Sequence, residues 1–299
     1  MLNSNIRLCI PTYNRKSPKC LEMLKLDKEL ELDLFVRQEL IDNGFYDDLA
    51  KIERIHIHSL GTNVTCIGDT RERIFNWCRQ HHIKFCAMFD DGICNLIDTH
   101  FETASISNIL NYCCDIMSTS KFADKYAGFC YIKRIAYYAD GHVAIYDDSK
   151  IAEEDYFLFA PFQSCLWNVD VITNYDLHMH TLEEVGFEDC AFFADCLKKG
   201  LVFGSRKNIK VDGIVPNETK SGGNHTLTEN IEKKYDAQVA KCMKYIGNMY
   251  GVYIEKRYRS YAKGLLGFIT FDLDYFREVI CNKPLENKQI IDRRFQYEL

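Results

Sequence analysis

The first ninety residues alternate between short apolar, β-branched runs and segments with helical spacing. Ile6-Arg7-Leu8-Cys9-Ile10 is stopped by Pro11, which predicts a buried strand, and the Leu21/Leu24 and Leu26/Leu30 spacings after Pro18 predict a helix. Asp33 to Gln38 and Arg54 to His58 read as the second and third strands. Asp69 is placed to cap a helix running through Arg71, Ile74, Trp77 and Cys78. That helix leads into the most apolar run of the chain, Phe85 to Phe89, which ends in Asp90-Asp91-Gly92. Repeated β-α-β order predicts an α/β fold, a Rossmann-like mixed, mostly parallel sheet flanked by helices.

The middle third changes character. Tyr126 to Ile132, Tyr137 to Ala144, Tyr156 to Phe162 and Ser164 to Asn168 are aromatic, strand-like runs. Phe187 to Lys199 reads as a helix closed by Gly200. The segment from Asn217 to Thr226, with Gly222-Gly223, has loop chemistry, and from about Thr228 the pattern is helical up to the basic-aromatic stretch ending at Tyr261. These shifts divide the chain into a body, residues 1–227, and a helical C-terminal extension, residues 228–299.

With 47% hydrophobic and 27% charged residues and only 5 Pro among 299, the chain is globular, neither disordered nor collagen-like. Its 14 Cys include no CxxC pair and sit in apolar runs such as Lys84-Phe85-Cys86-Ala87-Met88-Phe89, as buried thiols in a reducing cytoplasm would. Met1-Leu2-Asn3-Ser4-Asn5 lacks a basic n-region, and no stretch reaches the ~18 apolar residues of a membrane span, so neither secretion nor a membrane partner is expected. The net charge is −6, yet Arg206 to Lys263 holds twelve Lys/Arg against six Asp/Glu. An acidic body with a basic C-terminal face suits an anionic partner, although a charge run also makes an ordinary solvated helix face.

Ligands of open α/β sheets bind outside the carboxyl ends of the strands, which directs attention to Pro11-Thr12-Tyr13-Asn14-Arg15 and Asp90-Asp91-Gly92. Adjacent carboxylates repel unless a cation lies near them. Mg²⁺ or Mn²⁺ would suit, because such hard ions take oxygen ligands and complete their shells with water and phosphates. Asp-Asp-Gly equally spells a plain turn. Glu188-Asp189 falls in the first turn of its helix, where acidic residues also simply complement the dipole. Two stretches interleave aromatic and basic residues, Tyr131 to Tyr138 and Tyr253 to Lys263. In the second, Lys256, Arg257 and Arg259 are candidate DNA phosphate contacts, and a neighbouring Tyr could stack on an extruded base.

The ordered set Ile10-Pro11-Thr12-Tyr13-Asn14-Arg15, Phe35-Val36-Arg37-Gln38, Gly68-Asp69-Thr70-Arg71-Glu72-Arg73 and Met88-Phe89-Asp90-Asp91 resembles the GT-A nucleotide-sugar glycosyltransferases. More narrowly, it is similar to the phage glycosyltransferases associated with TET/JBP-type base oxidation, which decorate modified bases in DNA. The similarity covers residues 6–95 and fades through residue 225. It implies a GT-A-like sheet, a UDP-sugar donor and a divalent metal, Mn²⁺ or Mg²⁺. It further implies that Pro11, Thr12, Tyr13, Arg15 and Gln38 hold the uridine, that Arg71 reaches the nucleotide, and that Asp90 and Asp91 meet the diphosphate and metal. His225, beside the Gly222-Gly223 hinge, is the implied closing metal ligand, and Asp189, with Glu188 as fallback, is the implied base for the acceptor hydroxyl. The chain departs from that family at Glu72, where Asn is usual, and at Gly92, where a third acidic or amide residue is usual.

The expected activity is transfer of a sugar, arabinose or glucose favoured, from a UDP-sugar to a 5-hydroxymethylated pyrimidine, 5-hydroxymethylcytosine favoured, in double-stranded phage DNA within the infected host cytoplasm. Two alternatives stand beside it: a GT-A enzyme with a glycan, lipid or protein acceptor, and a non-catalytic nucleic-acid-binding protein on the same scaffold.

Overall fold

The computed structural model describes residues 2–213, apart from 102, 121, 134, 138–142, 146–163, 182–187, 205 and 207, together with Lys241 and Tyr245. In chain order its elements begin β1 (Ile6–Pro11), α1 (Leu21–Leu26), β2 (Leu32–Val36), α2 (Gln38–Asp42), α3 (Asp47–Ala50), β3 (Ile55–Ser59), α4 (Ile67–Gln80), β4 (Phe85–Phe89), β5 (Asn95–Asp98) and α5 (Ile106–Thr119). They continue β6 (Tyr126–Cys130), β7 (Ile132–Lys133), β8 (Ile135–Tyr137), β9 (Val143–Ile145), β10 (Ser164–Asn168), α6 (Val169–Asn174), α7 (Glu188–Lys198), β11 (Val202–Gly204) and β12 (Ile209–Asp212).

Seven strands form the main sheet in the order β11-β6-β10-β4-β1-β2-β3. β4, β1, β2 and β3 run parallel, as expected of β-α-β units, and β10 is antiparallel to both β4 and β6. The sheet is therefore mixed and mostly parallel, with helices on both faces, a Rossmann-like α/β arrangement. Strand alternation sends Cys9, Cys86, Met88, Cys165 and Trp167 into one core with Ile74, Phe75 and Cys78 of α4 and Phe192 and Phe193 of α7. Leu8, Ile10, Leu34, Ala87 and Phe89 enter the opposite core with Met23 of α1 and Ile109, Leu110 and Cys113 of α5. β5, β12 and β7 make a small second sheet, and β8 and β9 a hairpin.

Arg7, Asp33 and His58 tie β1, β2 and β3 together. Asp33 is fully buried and accepts two hydrogen bonds from Arg7, at 2.7 and 2.9 Å, while His58 Nε2 lies 2.6 Å away. Burial alone would raise the Asp33 pKa, but His58 and Arg7 hold it below the ordinary carboxylate value.

Two expectations need correction. Asp69 does not cap α4: Cys66 is the N-cap residue, its sulfur accepting from the Asp69 amide, and Asp69 lies inside the first turn. The run from Tyr126 to Ile132 is not one strand either, because Ile132 and Lys133 leave the main sheet to pair with β12. Residues 93–125, given no element above, form β5 and α5. The α5 signal is Ser105, which caps through the Asn108 amide ahead of Ile106, Ile109, Leu110, Cys113, Cys114 and Met117. Gly200, at φ +74°, ends the segment after α7 as expected. Among the described side chains Cys9, Cys78, Cys86, Cys130 and Cys165 are free thiols, and among the described residues no helix is long and apolar enough to cross a membrane. The segment expected as a strand at Tyr156 to Phe162, and the C-terminal extension but for Lys241 and Tyr245, lie outside the described residues.

Candidate active site

Four consecutive polar residues of α4, Asp69-Thr70-Arg71-Glu72, are each less than a tenth exposed. Such a run survives burial only if every polar group has a partner. Asp69 accepts from the Thr65 amide at 3.1 Å and from Arg73 Nε at 2.9 Å, and these interactions outweigh burial to hold its pKa below the usual value. Thr70 Oγ1 donates to the Cys66 carbonyl. Glu72 accepts from Arg79 Nη1 and the Met179 amide, both at 2.8 Å, and lies 2.9 Å from His178 Nδ1.

Arg71 faces the opening end of α7. Its Nη1 donates to Glu188 Oε1 and lies 3.8 Å from Asp189 Oδ2, while Nη2 is 3.6 Å from Asp90 Oδ1. Burial works against the guanidinium charge, yet Glu188, Asp189 and Asp90 together raise its pKa above the ordinary arginine value. Arg71 thus joins the end of β4 to the first turn of α7. Close approach of α4 to α7 and to the segment carrying His180 is possible because Gly68, one turn earlier on α4, has no side chain: a Cβ there would stand 1.8 Å from the His180 carbonyl oxygen and 3.0 Å from Glu188 Cγ.

The β1 and β4 ends meet side by side, as parallel neighbours require. Thr12 Oγ1 donates to Asp91 Oδ2 at 2.8 Å, and Arg15 Nη1 lies 2.9 Å from Asp91 Oδ1. Asn14 between them adopts φ +56°, a left-handed conformation that Asn tolerates better than most residues. Burial pushes the Asp91 carboxyl up to about 6; Arg15 and the Thr12 hydrogen bond oppose the rise and Asp90 adds to it. The cations called for beside the carboxylate pair are therefore present as two arginines, Arg15 on Asp91 and Arg71 on Asp90. The turn reading also holds, since the Ile93 amide donates back to the Asp90 carbonyl.

Pro11 closes β1, and Tyr13 is half-buried with the Arg37 guanidinium 4.4 Å from its ring centroid. Gln38 opens α2, and its amide is bound locally to Asp42 and Ser59. Thr12 and Arg15 thus gather on Asp91, and Asp90, Glu188 and Asp189 on Arg71, two groups joined through the consecutive Asp90 and Asp91. Tyr131 is a core residue packed against Phe89 and Phe129. His225, Lys256, Arg257 and Arg259 lie outside the described residues.

Among the described residues, no third carboxylate, histidine or thiol joins Asp90 and Asp91 within reach of one ion. Carboxylate oxygens are the donors a hard divalent cation takes, and here both Asp91 oxygens are engaged, Oδ1 by Arg15 and Oδ2 by Thr12. Arg37, Glu72 and His178 were not singled out as site residues by sequence reasoning. Arg37 was legible, because it immediately precedes Gln38. Glu72 anchors residues 178 and 179.

No protein-family model and no curated protein matches this chain. Among solved structures it is similar to A197 from STIV, at 11% identity over 75% of this chain and 96% of that one, TM-score 0.37. It is similar to the 4-diphosphocytidyl-2C-methyl-D-erythritol synthase of Anaerococcus prevotii, at 13% identity over 69% and 89%, TM-score 0.36. It is also similar to GalNAc-T7 with UDP, GalNAc and Mn²⁺, at 9% identity over 98% of this chain and 58% of that one, TM-score 0.48.

Proposed function

We propose that this chain is a metal-dependent GT-A glycosyltransferase that moves a sugar from a UDP-sugar to the hydroxymethyl group of a 5-hydroxymethylated pyrimidine in double-stranded DNA. The observation that carries the enzyme reading is the reach of Arg71, whose guanidinium spans Asp90 at the end of β4 and the Glu188–Asp189 pair opening α7. Sugar transfer needs two acidic loci side by side, one that meets a diphosphate with cationic help and one that takes a proton from the acceptor. The DNA acceptor rests on the family resemblance and on the basic segment from Arg206 to Lys263, including Lys256, Arg257 and Arg259.

In this reading Thr12, Tyr13, Arg15 and Gln38 border the uridine, and Arg71 faces the diphosphate. A divalent ion on Asp90 and Asp91, with His225 as a further ligand, would neutralise charge on the departing diphosphate. The acceptor oxygen bonds to the anomeric carbon as the bond to the diphosphate breaks; UDP leaves with that electron pair, and Asp189 takes the hydroxyl proton. Glu188 positions Arg71.

The test incubates the full chain with a panel of UDP-sugars, Mn²⁺ and hydroxymethylated DNA, followed by mass spectrometry of the digested nucleosides. A pentose or hexose added to the hydroxymethylated nucleoside supports the proposal. UDP release with a glycan, lipid or protein acceptor but none with DNA would overturn the acceptor. Absence of both transfer and UDP release would overturn the enzyme.

A further inference from the structure

Cys9 of β1, Cys78 of α4 and Cys86 of β4 are each fully buried, and their Sγ atoms all lie within 4.8 Å of one another. β1 and β4 are hydrogen-bonded neighbours in which Arg7 pairs with Cys86 and Cys9 with Met88, so the two strand thiols are staggered by one step on the same sheet face. Cys78 approaches them from the helix packed on that face, in the same core as the two strand thiols. Among the described residues this is the one group of three or more Cys, His, Asp or Glu able to hold a single ion.

We propose that Cys9, Cys78 and Cys86 form a three-thiolate site for one soft d¹⁰ cation of the cuprous class, separate from the oxygen ligands at the sheet rim. The donor set is all sulfur, which selects against hard ions. With metal–sulfur bonds of about 2.3 Å, a trigonal site needs sulfurs about 4.0 Å apart, so a triangle with edges up to 4.8 Å closes if each sulfur moves by roughly half an ångström. The core around it holds Ile74, Phe75 and Met88. Without a fourth donor in the group, tetrahedral zinc is poorly served, whereas a cuprous ion accepts three thiolates. Binding sends the thiol protons to solvent and transfers no electron, because the ion enters already as Cu(I). Asp33, the register partner of Cys9 on β2, is committed to Arg7 and His58. An ion here would brace α4, which carries Arg71, against the strands that lead to Thr12 and Asp90.

The test titrates the full reduced chain anaerobically with Cu(I) in competition with a chromophoric cuprous chelator. One retained equivalent with a three-coordinate, sulfur-only shell in X-ray absorption is expected. Cys78→Ala is expected to weaken retention at least 100-fold, and Cys78→Ser, checked for folding by circular dichroism, guards against a folding defect. Cys165→Ala is the control: Cys165 belongs to a neighbouring two-thiol pair, 3.9 Å from Cys130, and its loss should leave retention intact. No retained equivalent, a two-coordinate shell, folded Cys78 variants that bind like the wild type, or equal weakening by Cys165→Ala would each overturn the site. None of these outcomes depends on sugar transfer.

Discussion

Arg71 and Glu188 are 117 residues apart in sequence and share a hydrogen bond between Nη1 and Oε1 inside the molecule. The same guanidinium lies near Asp189 and Asp90, so one positive charge serves three carboxylates. Removing it leaves three neighbouring like charges, with Asp189 buried and Glu188 and Asp90 partly so, whereas shortening it leaves a charge that cannot reach all three.

Arg71→Met is expected to lower folding stability by about 3 kcal/mol, because a buried ion group stripped of one partner is costly. Arg71→Lys keeps a charge without the planar fork, and should fold while losing roughly 100-fold in kcat/KM for transfer. Chemical denaturation and steady-state kinetics measure the two effects. A folded Arg71→Lys protein with wild-type kcat/KM would remove Arg71 from the site.

Asp91 is expected to trade stability for function. Its carboxyl is raised to about 6 by burial, so the folded state holds the proton more tightly than the unfolded chain does. Stability therefore falls as pH rises from about 4 to about 6, and the deficit is full above that window. Asp91→Asn removes the titration and should gain on the order of 2 kcal/mol at pH 7.5 while abolishing Mn²⁺-dependent transfer. Melting curves across pH 4–8 check the first effect, and product formation with and without EDTA checks the second.

The strands were the most legible part of the sequence. β4 and β10 have the expected bounds because short apolar runs are closed by Asp90 at one end of β4 and by the Asn168 helix cap after β10. The start of α4 differs from expectation because its cap is a cysteine sulfur, an uncommon one, which takes the amide of Asp69 and so opens the helix three residues ahead of that aspartate. Both halves of the site were readable as polar strand ends and an acidic helix start. Their meeting was not, since the Thr12–Asp91 and Arg71–Glu188 contacts depend on how the sheet brings distant segments together.

Glu72→Asn should damage folding and leave donor binding largely intact. The shorter side chain cannot hold both Arg79 and the Met179 amide, and an unmet buried amide costs about 1–3 kcal/mol. Denaturation together with the KM for the UDP-sugar distinguishes this anchoring role from a nucleotide contact, which would raise KM.

Asp33 predicts acid sensitivity of the parallel strands. Its folded pKa lies below its ordinary value, so the stability it provides is present above about pH 4 and is lost as pH falls through the folded pKa. Asp33→Asn should cost about 3 kcal/mol at pH 7, and the wild-type and variant stabilities should converge in strong acid. A gap between them that stays constant from pH 7 to pH 2 would show that the Arg7 and His58 contacts do not stabilise the fold through charge.

Gly68→Ala tests the close approach on which the network depends. The added Cβ would meet the His180 carbonyl at 1.8 Å, and a backbone atom cannot yield as a flexible side chain does. Either α4 or the segment carrying His180 must shift, at a cost of about 2–3 kcal/mol typical of overpacking. Because Glu188 Cγ lies 3.0 Å from the same Cβ position, the shift should also disturb the Arg71–Glu188 contact and lower kcat more than it raises KM. An alanine variant with wild-type denaturation midpoint and kcat would mean that the two segments do not pack this closely in solution.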